Sequence, residues 1–176
     1  MRSTAFILET LILSTIAISV ASIGSSPSAS EQINTTAETA KLVASDAAAS
    51  DLFGVSVAVG GDLVVVGAEC NDAGAGPESG SAYVFRTTNA GASWNETAKL
   101  VASDAAFNDR FGGSVAVGGD LVVVGARNGN DDAGDWSGTA YVFRTTNGGA
   151  SWNETAKLVA SDAEMYDYFG RSVAVS

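Results

Sequence analysis

Phe53–Ala68 reads FGVSVAVGGDLVVVGA, and Phe111–Ala126 reads FGGSVAVGGDLVVVGA. A third start, FGRSVAVS, opens at Phe169. The step is 58 residues each time, and the flanking TAKLVASD keeps it, from Thr39 to Thr97 to Thr155. Aligned without a gap, residues 39–96 and 97–154 are identical at 44 of 58 positions. Self-similarity at a fixed period marks a repeat architecture, in which each unit buries its faces against its neighbours.

Within the unit the patterning is that of strands. Ala40–Ala44 is a short β-prone run, and Gly54–Val59 alternates small and branched residues, as a strand with one buried face does. Asp62–Ala68 is a continuous apolar run suited to an inner strand covered on both faces. Ser81–Arg86 is rich in aromatic and branched residues, and Ser93–Ala102 supplies a fourth strand. Gly60-Gly61-Asp62 and Thr87–Ala92 carry turn chemistry, while Glu69–Gly80 is the long loop. Four short antiparallel strands per repeat is the spacing of propeller blades. The expected fold is therefore all-β, a partial β-propeller over residues 38–176. It comprises two complete blades, roughly 53–104 and 111–162, plus flanking strands, with a third blade beginning at 169. A propeller ring needs at least about four blades. The expectation is thus a fragment of a longer protein, or self-association of several chains.

Residues 1–24 read as a signal helix: Arg2 is followed by the apolar run Leu11–Ala21, with small residues at Ser19 and Ala21. A membrane anchor through residues 5–21 is the alternative, and either reading places the repeats outside the cell, secreted or at its surface. Residues 25–37 are Ser/Thr-rich and read as a disordered linker. A net charge of −11 opposes nucleic-acid binding, for which a basic stripe is the usual footprint. With no His in the chain, Ser/His/Asp, Cys/His and His-based metal machinery are excluded. Cys70 is the one cysteine, and its repeat counterpart is Asn128, so the framework does not require it.

Phe-Gly followed by Val-Gly-Ala and then AYVF resembles the FG-GAP repeat, which builds the propeller head of integrin α-subunits. The matching pairs are Phe53-Gly54, Phe111-Gly112 and Phe169-Gly170, with Gly67-Ala68 and Gly125-Ala126. The resemblance implies that these residues pack at blade junctions, as structural rather than catalytic groups. The Pro of the GAP triplet is replaced by Glu69 and Arg127. The calcium loop of the integrin type would lie between SVAV and LVVVGA, where this chain has only Gly60-Gly61 and Gly118-Gly119. Calcium takes about six to eight oxygen ligands, so no calcium is expected there. Thr87, Asn89, Gly91, Ser93 and Trp94, repeated as Thr145, Asn147, Gly149, Ser151 and Trp152, resemble the Asp-box turn of sialidases and other propellers.

Sites are expected on the long loops, where nine of the 14 differences between the copies fall, at 69–81. The second loop offers Asp131, Asp132, Asp135 and Trp136, and the first offers Asn71 and Asp72. Trp136 suits stacking on a sugar, and the 127–138 loop is the one place considered for a weak calcium site. Otherwise no cofactor is expected. Asn34, Asn95 and Asn153 match the glycosylation acceptor N-x-[ST]. No catalytic set stands out. The chain reads as a non-catalytic extracellular module for protein or glycan binding and adhesion. A structural scaffold, or part of a carbohydrate hydrolase, is the alternative.

Overall fold

The computed structural model describes residues 38, 40–73, 76–129 and 136–176. The proposed leader, linker and Asn34 lie outside the described residues, as do Asp131, Asp132 and Asp135. Eight strands form two antiparallel sheets in one compact unit, Leu42–Ser176. Of the other unit, Met1–Lys41, only Glu38, Ala40 and Lys41 are described, and none lies in a strand. The first sheet orders β1 (Ser56–Gly60), β2 (Leu63–Ala68), β3 (Ser81–Arg86) and β4 (Asn95–Leu100). The second repeats it with β5 (Phe111–Gly118), β6 (Leu121–Ala126), β7 (Thr139–Arg144) and β8 (Asn153–Leu158). No described residue is helical. The chain is all-β and the sheets are partial propeller blades, as the repeat pattern implies.

Local chemistry fixes each blade. The first hairpin closes through Gly61 at φ 60° and the equivalent one through Gly119 at φ 58°, a region that glycine enters without steric cost. β2 is buried along its whole length. Val64 and Val66 join Tyr83 and Phe85 on one face, while Leu63 and Val65 join the larger core that continues into the second sheet. Before β4, Thr87 Oγ1 accepts from the amides of Asn89 (3.3 Å) and Gly91 (2.9 Å). Asn89 Oδ1 accepts from the Ser93 amide at 2.9 Å, and Gly91 takes φ 87°. Thr145, Asn147, Gly149 and Ser151 repeat the arrangement.

The junction between blades explains the SVAVG pattern. A Cβ placed on Gly60 would meet Val117 Cγ1 at 3.1 Å, and one on Gly118 would meet Val175 Cγ1 at 2.5 Å. The small residues of one blade's first strand thus receive the valines of the next blade. β1 shows the expected alternation, its small-residue face covered and its valine face open, whereas β5 is covered on both faces. In β1 the valine side lacks such a neighbour, leaving Val57 51% and Val59 39% exposed. In β5 the matching Val115 is buried against the first sheet.

The FG and GA pairs interlock at the same seam. A Cβ on Gly67 would overlap the carbonyl oxygen of Gly112, and a Cβ on Gly112, at φ 90°, would overlap that of Ser81. Ser56 Oγ donates to the Gly112 oxygen at 2.7 Å. Phe111 turns the other way, fully buried against Tyr141 and Phe143 of its own blade at 5.5 and 6.0 Å between ring centres. Phe53 does the same with Tyr83 and Phe85. Gly125, Gly170 and Ser114 reproduce the seam 58 residues later, with Ser114 Oγ at 2.7 Å from the Gly170 oxygen.

Two expected strands do not form. Ala40–Ala44 joins no ladder, because its equivalents in β4 and β8 pair with the AYVF strand of their own blade and none precedes residue 40 among the described residues. Among the described residues, the one bridge of Phe169–Ser176 is Gly138–Phe169; the equivalent β5 forms its ladder with LVVVGA of β6, and the described residues hold no such partner for this segment.

Gly67 does not occupy the positive-φ region, so replacing it tests the seam alone. Gly67→Ala is expected to cost about 2–4 kcal/mol in chemical denaturation, as overpacking against a backbone carbonyl does. Gly61→Ala, where a Cβ meets nothing within 4 Å, is expected to cost about 1 kcal/mol, from backbone strain alone. Equal losses would contradict the seam.

Candidate functional site

The TAKLVASD segment that precedes each sheet is tied to that sheet by a polar clamp on its third and fourth strands. Asp46 accepts from Tyr83 Oη at 2.7 Å and Lys99 Nζ at 2.6 Å, and Asp104 accepts from Tyr141 at 2.7 Å and Lys157 at 2.7 Å. Ser45 and Ser103 reach the carboxylates of Glu96 and Glu154 in the same way. The Lys99 and Tyr83 hydrogen bonds hold the Asp46 carboxyl below its ordinary value. Burial pulls the Asp104 carboxyl upward, but the bonds from Lys157 and Tyr141 outweigh it and leave it lowered. Burial and the neighbouring aspartate push the Tyr83 phenol up, so it stays a neutral donor. The Asp104 clamp ties the segment after β4 to the second sheet, while the Asp46 clamp ties the segment before β1 to the first, and Asp46 also borders a hollow.

The rim at the long loops differs between the seams. At the first, Glu78 and Arg110 form an ion pair at 2.6 Å. The Arg110 guanidinium also donates to Cys70 Sγ and to Asn108 Oδ1 (2.9 Å). Burial raises the Cys70 thiol above its ordinary value, so it is a poor nucleophile at neutral pH. At the second seam the equivalent positions are aromatic. Trp136 stands where Glu78 does, Tyr168 where Arg110 does and Tyr166 where Asn108 does. Trp136 lies 5.2 Å from Tyr166, edge to face, and 6.4 Å from Tyr168 at an interplanar angle of 24°.

Beside these rings lies an open groove of about 640 Å³, lined by Gly113, Arg127, Asn128, Trp136, Tyr168 and Arg171. Arg127 is fixed by Glu69, the residue at its own position one repeat earlier, through a two-pronged ion pair. The two substitutions for the Pro of the GAP triplet thus bond to each other across the seam.

Of the sequence candidates among the described residues, Trp136 alone lines this groove. Asn71 is buried and engaged at both amide atoms: Nδ2 donates to Asp51 at 3.0 Å, and Oδ1 accepts from Ser81 (2.8 Å) and Lys99 (2.9 Å). Asp72 accepts from the Glu78 amide at 2.9 Å. Both border a separate hollow of about 400 Å³ beside Asp46 and Asp51. Asn95 and Asn153 are exposed at the starts of β4 and β8. Among the described residues no group of three or more His, Cys, Asp or Glu could hold a metal, and no helix is long and apolar enough to cross a membrane. Arg127, Tyr168 and Arg171 were not singled out from sequence, because the groove joins residues of two successive repeats. A signal existed. Beyond the long loop, the copies differ chiefly at 107, 108, 110 and 113, which reach the same rim.

One copy difference leaves a buried group exposed to cost. Asn71 becomes Gly129, so Asp109, the counterpart of Asp51, keeps only the Ala106 amide at 2.7 Å. Asp109 Oδ1 and Thr139 Oγ1 are buried without a hydrogen-bond partner. Burial raises the Asp109 carboxyl above the ordinary aspartate value of 3.8. Its ionised form therefore costs stability at neutral pH, and the cost fades as pH falls through the folded-state value. The lowered Asp46 and Asp104 act oppositely, and their contribution is lost only below the ordinary value. Asp109→Asn is expected to melt higher than the parent at pH 7, by about 1 kcal/mol of stability. That difference should vanish as pH approaches 4, in thermal scans across the range. A pH-independent difference would contradict this assignment.

A search of curated proteins finds no match to this chain. The model of the FG-GAP repeat matches residues 36–85, 94–143 and 152–176, in register with the two sheets and the third start. Its motif glycines and phenylalanines are those that form the seams, and the chain belongs to the FG-GAP repeat family.

Proposed function

We propose that this chain is a non-catalytic extracellular recognition module, which binds a glycan or protein ligand at the rim of the second seam. One observation carries the reading: all six described residues lining the groove occupy repeat positions at which the copies differ. Gly113 faces Val55 and Arg171 in the alignment, Arg127 faces Glu69, Asn128 faces Cys70, Trp136 faces Glu78, and Tyr168 faces Arg110. The seam's Phe-Gly and Gly-Ala pairs and its serine hydroxyl donor, by contrast, repeat unchanged. Repeat scaffolds use one variable face for binding while the packing residues stay fixed. The rings add large, rigid contact area with a polar edge. The leader-like N-terminus and the usual setting of FG-GAP repeats support an extracellular location.

A scaffold role has its own support in the open valine face of β1, with Val57 and Val59 exposed and nothing within 4 Å of a Cβ on Gly54. Further blades, from a longer chain or from other copies, would cover it.

Screening the protein on a glycan array should identify a ligand whose affinity falls at least tenfold in Trp136→Ala, with the melting temperature unchanged. Retained affinity in that variant would place the site elsewhere. Absence of any ligand, together with assembly in light scattering, would favour the scaffold.

A further inference from the structure

Charge in and around the groove narrows the ligand class, and the narrowing rests on the reading of the groove as a binding site. The chain has 20 acidic residues against 9 basic ones. Of the eight basic side chains among the described residues, six are in ion pairs: Arg86, Lys99, Arg110, Arg127, Arg144 and Lys157. The remaining two are Lys41 and Arg171, and Arg171 lines the groove beside Trp136 and Tyr168. Its neighbour Arg127 keeps its guanidinium at the same wall, held by Glu69. Glu69 neutralises Arg127, so Arg171 is the one cation among the described lining residues that stands outside an ion pair, a local cationic spot on an acidic molecule. Such a spot has a geometric meaning, because guanidinium binds carboxylate and sulfate through two parallel hydrogen bonds.

The first seam shows what the alternative looks like. There the arginine, Arg110, is neutralised by Glu78 and turned into a closure of the rim. At the second seam both members of that pair are replaced by rings, and the arginine moves to position 171, where the first seam has Gly113. The exchange replaces an internal salt bridge with three packed rings, Trp136 staying 38% exposed, and sets Arg171 outside any ion pair among the described residues.

We infer that the groove takes an acidic polysaccharide, a glycan bearing sulfate or uronate groups, with a sugar ring against Trp136 and its anionic substituent on Arg171. Neutral sugars would use the rings but leave Arg171 idle. Acidic peptides would satisfy Arg171 without using the stacked faces of Trp136 and Tyr168. Because the molecule is strongly anionic overall, diffuse attraction to polyanions is opposed and a local site must carry the affinity.

Calorimetry with the full chain distinguishes these cases, using dextran sulfate, uncharged dextran and polyglutamate as probes. Dextran sulfate should bind at least tenfold more tightly than dextran, and more weakly as salt rises. Arg171→Gln should remove that advantage, and Arg171→Lys, which keeps the charge but not the fork, should retain part of it. Trp136→Ala should abolish binding to both glycans, and thermal melts should be unchanged in every variant. Equal binding of dextran and dextran sulfate, lost in Trp136→Ala but indifferent to Arg171→Gln, would overturn the acidic class and leave the groove as a binding site. Polyglutamate binding as tightly as dextran sulfate would overturn the glycan class. No binding of any probe would overturn the inference. If the glycan array also finds no Trp136-dependent ligand, the reading of the groove falls with it.

Discussion

The seating of one glycine's carbonyl against another glycine's Cα, 45 residues earlier in the chain, is the constraint on which the molecule depends. Gly67 has no Cβ, so the Gly112 oxygen can approach and be met by the Ser56 hydroxyl. Gly112 has none either, and its positive φ brings the backbone against Ser81. Neither position can change without moving main chain. Around this contact the valines of one first strand enter the gaps left by serine, alanine and glycine in the preceding one. The dipeptide Phe-Gly thereby divides its labour: the ring anchors its own sheet, and the glycine docks that sheet on its neighbour. Interiors packed at this density transmit any added volume directly into strain.

With packing and polar clamps assigned to invariant positions, the rim is free to vary. The two rims show how far that freedom goes, since one is closed by a Glu78–Arg110 ion pair and the other carries three aromatic rings. Variation also has an internal cost, as Gly129 shows by stranding Asp109 and Thr139. Loops positioned on a rigid scaffold are where proteins place recognition, and here the scaffold and its variable edge are separable residue by residue.

The fold was legible because the repeat states it twice. Leu63–Ala68 and Ser81–Arg86 declare inner strands by continuous apolar and aromatic content, and the double glycines declare the hairpins. The flanking segments misled for a physical reason: Ala40–Ala44 and Phe169–Ser176 have strand sequences, but the described residues offer neither a partner strand in which to form a ladder. The covering of both faces of β5 was hidden, since alternation cannot reveal whether a neighbour covers the second face. Of the candidate site, Trp136 was visible as an aromatic in a variable loop. Arg171 and Tyr168 were not, because they reach the groove from the next repeat. Asn71 appeared to be a loop ligand, but it is spent on Asp51, Ser81 and Lys99.

Hydrogen exchange on the intact chain tests the seam most directly, with a control supplied by the sequence itself. SVAVG occurs as Ser56–Gly60 in β1 and as Ser114–Gly118 in β5, so intrinsic exchange chemistry is matched. Only β5 has a preceding blade against its valine face. The account predicts that the β5 amides exchange markedly more slowly than their β1 counterparts. Equal exchange of the two segments would contradict it, because the close glycine contact would then not hold the sheets together in solution.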